Sequence, residues 1–77
     1  MHKITKKTAV DLIRASQGKF MTLKNIKRDG SERTYKSSKY NVDMYGNLNV
    51  LTREGYRNIN PATIYYLKAD KKEYAVV

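Results

Sequence analysis

Four glycines, Gly18, Gly30, Gly46 and Gly55, punctuate this 77-residue chain and divide it into pieces that hold one small helix and a series of short strands. Before Gly18, "TKKTAVDLIRASQG" predicts a helix within Thr5–Gln17. Thr5 or Thr8 can cap it, and Thr8 with Asp11 resembles a capping box. Ala9, Val10, Leu12, Ile13 and Ser16 form a small-to-apolar stripe, and Lys6, Lys7, Asp11 and Arg14 take the other side. Gly18 is a natural stop. A helix this short is marginal alone in water, so its stripe is expected to pack against something.

Beyond Gly18 the pattern changes to strands and turns. "KFMTLKNI" is the first strand, and its imperfect alternation suggests a bulge or strong bend. Asp29-Gly30 is hairpin-turn chemistry, and "SERTYK" returns as the second strand. "SSKYNVDMYGN" reads as a loop containing a half-formed strand. "LNVLT" alternates cleanly, and "REG" turns the chain into "YRNIN", which Pro61 closes. "PAT" forms a single tight helical turn, "IYYLKA" is a strand of β-formers, "DKK" turns, and "EYAVV" ends as a strand. Five or six regularly spaced short strands behind one helix favour a small barrel or sandwich. Closure into a barrel also removes exposed strand edges. The expected fold is mainly β: one domain over residues 1–77, with a helix at 5–17 and a small antiparallel barrel of about five strands at 19–77.

A chain of this length buries roughly 60% of the surface its unfolded form exposes, which makes a binding module a better starting point than an enzyme. The composition, 40% hydrophobic with seven tyrosines, is globular. With no cysteine, disulfides and thiolate metal sites are excluded and a reducing compartment fits. No apolar run approaches the roughly 20 residues of a membrane-spanning helix. "MHKITKK" is basic, but no long apolar segment follows as in a signal peptide. The single histidine, His2, sits at a terminus expected to fray. There are no paired carboxylates at helical spacing, no glycine-rich phosphate loop and no Ser-His-Asp set. The expectation is therefore a non-enzyme with no cofactor and no metal.

The net charge is +9, and residues 1–40 carry eleven of the sixteen lysines and arginines but only three of the seven acids. Such one-sided charge attracts nucleic acid, acidic protein or anionic membrane. Its densest stretch is "IKRDGSERTYKSSKY", with Lys27, Arg28, Arg33, Lys36 and Lys39 around Tyr35 and Tyr40. Asp29 and Glu32 each cancel a nearby cation. Strand alternation puts Arg33 with Tyr35 and Thr34 with Lys36. Arg53 and Arg57 flank a later hairpin, with Tyr56 at its base. Cations that hold phosphates beside rings that stack on bases make a nucleic-acid groove. Tyr65, Tyr66 and Tyr74 are expected to pack, whereas Tyr35, Tyr40, Tyr45 and Tyr56, near turns, are the candidates for exposure.

Three segments together, "GKFMTLKNIKRDGSERT", "GNLNVLTREGYRNINPATIYYL" and "KEYAVV", resemble small phage-encoded proteins with a Src-homology-3-like or Sm-like β-barrel, relatives of WYL-type domains. The likeness runs from about Thr8 to Val77 and departs from the pattern at Asn25 and across "SSKYNVDMYGN". It implies about five strands with "PAT" as the helical turn before the closing strand, a viral origin, a host-cytoplasm setting, and a regulatory or nucleic-acid- or protein-binding role. The expected partner is nucleic acid, bound through the basic tyrosine-bearing face; the alternative is an acidic host protein that the chain binds and inhibits. No membrane partner is expected. A monomer or a small homo-oligomer joined through a strand edge fits the modest core.

Overall fold

The computed structural model describes residues 1–77. Its elements in chain order are β1 (His2–Ile4), α1 (Lys6–Ala15), β2 (Met21–Ile26), β3 (Glu32–Ser37), β4 (Tyr40–Val42), β5 (Leu48–Thr52), β6 (Gly55–Ile59), a 3-10 turn (Pro61–Thr63), β7 (Ile64–Ala69) and β8 (Lys72–Val76). The fold is mainly β with one helix. The strands form a five-stranded sheet in the order β1-β8-β7-β2-β3 and a three-stranded sheet in the order β4-β5-β6. All pairings are antiparallel except β1 with β8.

Only Ser38 and Lys39 separate β3 from β4, so one bent ribbon serves both sheets. Ser37 Oγ accepts from Lys39 N at 3.0 Å, which fixes the corner. Lys39 O then accepts from Leu51 N at 2.9 Å and opens the second ladder. The ladders end at β1 and β3 in one sheet and at β4 and β6 in the other; no ladder closes them into a ring. Strands number eight rather than about five, partly because this ribbon counts as two and partly because the N-terminus adds β1. That terminus, expected to fray, is paired as a strand. Its three polar-rich residues carry no strand signal of their own, but they pair in parallel with Tyr74–Val76, and the His2 and Tyr74 rings stand 6.1 Å apart.

Two hairpins share one construction. Gly30 N donates to Lys27 O, and Gly46 N donates to Asp43 O, with φ of +89° and +84° at the glycines. This is a turn followed by a left-handed residue, a conformation that glycine adopts without penalty. The Asp29-Gly30 pair therefore lies within a longer connection than a two-residue turn. The bulge expected in the first strand occurs where the β2–β7 register shifts between Lys24 and Asn25.

Thr5 is the helix cap: its Oγ1 accepts from Thr8 N at 3.2 Å. The helix buries Ala9 and Ile13 against a core completed by Met21, Leu23, Tyr40, Leu48, Val50, Ile59, Ile64, Leu67, Ala69 and Val76. Lys6 Nζ crosses to Ile64 O at 2.7 Å. Asn25 is buried as well; its Nδ2 donates to Thr63 Oγ1 at 3.3 Å, and its Oδ1 has no partner.

Tyr40, expected to be exposed, is instead 7% accessible. Its hydroxyl reaches Ser16 O and Lys19 O, the latter at 2.8 Å, and so ties the end of α1 to the start of the second sheet. Burial raises its pKa above the ordinary value. Tyr40→Phe leaves these carbonyls without that donor and should cost about 1–2 kcal/mol, lowering Tm by about 5–10 °C. An unchanged Tm would show that the tie contributes nothing. The folded state also keeps a proton that the unfolded chain releases near pH 10. This contribution is full below about pH 10 and is lost as pH rises through the higher folded-state value. Alkaline unfolding of Tyr40→Phe should lack that component.

Candidate polyanion interface

On β3, Tyr35 lies opposite buried Leu23 and Arg33 opposite buried Asn25, so both side chains lie on the inner side of an edge strand. Tyr35 is half-buried against the core, while Arg33 is exposed. The β5–β6 hairpin brings Arg53 and Arg57 alongside. A shallow hollow of about 220 Å³ is lined by Arg33, Tyr35, Arg53 and Arg57 with Thr34, Thr52 and Glu54. A neighbouring hollow of about 230 Å³ shares Arg33, Tyr35 and Arg57 and adds Lys27 and Asn58. Two segments distant in sequence thus place four cations around one tyrosine ring.

The acids explain why these cations remain available. Asp29 Oδ1 accepts from Ser31 N at 2.9 Å and from Ser31 Oγ at 2.7 Å. Those hydrogen bonds, with help from Lys27, lower its pKa. Glu32 lies beside the Tyr65 hydroxyl, whose pKa it raises. Glu73 Oε1 accepts from the Tyr66 hydroxyl at 2.6 Å, with the same effect on Tyr66. Asp43 Oδ1 accepts from Tyr45 N and Asn47 N, each at 2.9 Å. The only ion pair is Arg57 with Glu54. Asp29 and Glu32 form no ion pair with these cations, although Lys27 acts on Asp29 through its charge, in keeping with the expectation that Asp29 offsets a nearby cation. Exposed ion pairs are worth little in any case, so Glu54 offers weak competition for Arg57.

The remaining expected residues disperse. Lys36 points to the opposite side of β3, beside Thr22, Lys24, Thr34, Tyr66 and Lys68. Arg28 occupies the turn after β2, and Lys39 the corner before β4; both are exposed. Tyr56 is 62% accessible but lies opposite Leu51, one residue out of phase with Arg57, and lines neither hollow. Tyr40 belongs to the core and leaves the candidate set, because its ring fills the space beneath α1 and its hydroxyl is committed to carbonyls. Tyr65, Tyr66 and Tyr74 are half-buried.

Lys24, Lys68 and Phe20 were missed as surface residues because they read as parts of apolar strands. Phe20 is 61% accessible, and Lys24 Nζ sits 4.8 Å from the Tyr66 ring centroid. Only the register across β3, β2 and β7 places Lys24 and Lys68 on one face with Lys36. No helix is long and apolar enough to cross a membrane. No protein-family model, curated protein or solved structure matches the chain.

Proposed function

We propose that the chain is a non-enzymatic binding module that holds a single nucleic-acid strand across the Arg33–Tyr35–Arg53–Arg57 face, with Lys27 at its margin. The carrying observation is that a +9 chain forms one ion pair, Arg57 with Glu54 on this face, while Asp29 and Glu32 beside it are turned toward hydroxyls and a backbone amide. Guanidinium forks suit phosphate oxygens, and a half-exposed tyrosine ring offers one face for a base. The two hollows share Arg33, Tyr35 and Arg57 and run into one another across the face. An extended ligand with repeated contacts fits them better than a small substrate.

The same reading takes the fold as a small Src-homology-3-like or Sm-like barrel of viral origin. The support for this fold is the bent β3–β4 ribbon common to both sheets and the 3-10 turn directly before β7. A second reading, antagonism of an acidic host protein, draws on Met44 and Tyr45. These are 87% and 82% accessible at the β4–β5 turn, where Asp43 fixes the backbone. Exposed aromatic and thioether side chains on a turn of fixed backbone are suited to act as interface hot spots.

With three or four phosphates neutralised, log K for a short oligothymidylate should fall with log[salt] at a slope of about −2 to −3, at roughly 0.7 per contact. Replacing Arg33 and Arg53 together with alanine should shallow that slope by about 1.4. Tyr35→Leu should weaken binding by the roughly 1–3 kcal/mol of one stacked base while leaving the slope unchanged, and Tyr35→Phe should bind like the native chain. Absence of binding at roughly 50 mM salt, where the electrostatic contribution is large, would remove the nucleic-acid reading in favour of the protein antagonist.

A further inference from the structure

The first sheet carries a second cationic surface on the side of β3 facing away from the arginines. Register alignment places Lys36, Thr22 and Lys68 in one row across β3, β2 and β7, which ends at Glu73 of β8 opposite Lys68, and Thr34, Lys24 and Tyr66 in the next. Adjacent strands stand about 4.8 Å apart, so Lys36 and Lys68 are rooted about 10 Å apart with Lys24 offset between them. The six residues on β3, β2 and β7 line a hollow of about 400 Å³ that contains no acid. A second hollow of about 360 Å³ shares Thr22 and Lys68 and continues past Phe20 to Lys19 and Lys71, with Asp70 as its one acid. The two form a continuous open groove.

Two details show that the groove is organised. Lys24 is held over the Tyr66 ring, and the Tyr66 hydroxyl in turn occupies Glu73. At the far end, Asp70 and Lys71 form the two-residue β7–β8 turn with φ of +52° and +63°. A lysine in the left-handed region is strained, and glycine is the residue such a turn prefers. That strained lysine lines the groove beside exposed Phe20.

We propose that this outer groove is a second nucleic-acid site, which takes the sugar–phosphate backbone of one strand along its lysines and stacks a base on Phe20, so that one molecule holds two strands. The inference rests on the function proposed above and adds a separate site to it. Lysine ammoniums act as point charges without the planar fork of arginine, which suits backbone tracking without base selection.

The test is the stoichiometry of an oligothymidylate of about six nucleotides, within the roughly 4–16 that one small barrel fold covers. Calorimetric titration of the native chain should give two strands per molecule. Combined Lys24→Gln, Lys36→Gln and Lys68→Gln should leave one, and Arg33→Ala with Arg53→Ala should leave the other. One strand in the native chain, with the lysine variant unchanged, would overturn the second site and leave the arginine face standing. Loss of all binding in the arginine variant would do the same. No binding by the native chain would overturn both. Polyglutamate that fills the groove as tightly as the oligonucleotide would overturn the assignment to a nucleic-acid strand. Lys71→Gly separates binding from folding. Because glycine relieves the turn, Tm should hold or rise, while groove affinity falls several-fold and the salt slope shallows by about 0.7. Unchanged affinity and slope would overturn the groove.

Discussion

The alternation of side chains along β3 governs both surfaces of the molecule. Successive residues of a strand point to opposite faces, so Arg33 and Tyr35 go one way and Thr34 and Lys36 the other. One set faces the interior of the molecule and the other faces solvent. Here β3 is the free edge of its sheet and then bends into β4 to begin the second. Its inner side chains therefore meet the β5–β6 hairpin, and its outer ones continue the lysine rows of β2 and β7. The ribbon holds this position because Tyr40, at its far end, is locked beneath α1 by carbonyls of the helix C-terminus and the following loop.

The second organising feature is the use of the acids. A small chain with +9 net charge would ordinarily be expected to soften its self-repulsion with surface ion pairs. This one directs Asp29 to Ser31, Glu73 to Tyr66 and Asp43 to backbone amides, and sets Glu32 beside Tyr65. Hydroxyls and amides satisfy these carboxylates, which keep their charge, and leave the N–H donors of the lysines and arginines uncommitted. The arrangement stabilises turns and strand faces and leaves the lysines and arginines ready for an external anion. The resulting repulsion is a cost that a polyanionic ligand would relieve.

Much of the architecture was legible from local pattern. "LNVLT" and "IYYLKA" coincide with β5 and β7, and "PAT" forms the 3-10 turn, because each carries its own propensity and punctuation. β1 was not legible, since His2–Ile4 becomes a strand only by pairing with the distant β8. Tyr40 was misread for a similar reason: its acceptors lie 24 and 21 residues away, and nothing in "KYNV" signals them. For the interface, the Arg33–Tyr35 alternation was readable. The approach of Arg53 and Arg57 follows from the fold, and the lysine rows follow from register. Composition alone cannot show either, because it does not say which strands are neighbours.

Ligand is expected to engage the two sides of β3 rather than the hairpin tips. Backbone amide shifts during titration with a short oligothymidylate test this most directly. Movement is expected at Arg33, Tyr35, Arg53 and Arg57 on one side and at Lys24 and Lys68 on the other, with core residues such as Ile13 and Tyr40 unmoved. Movement confined to the Asp43–Asn47 turn, or none at all, would contradict it.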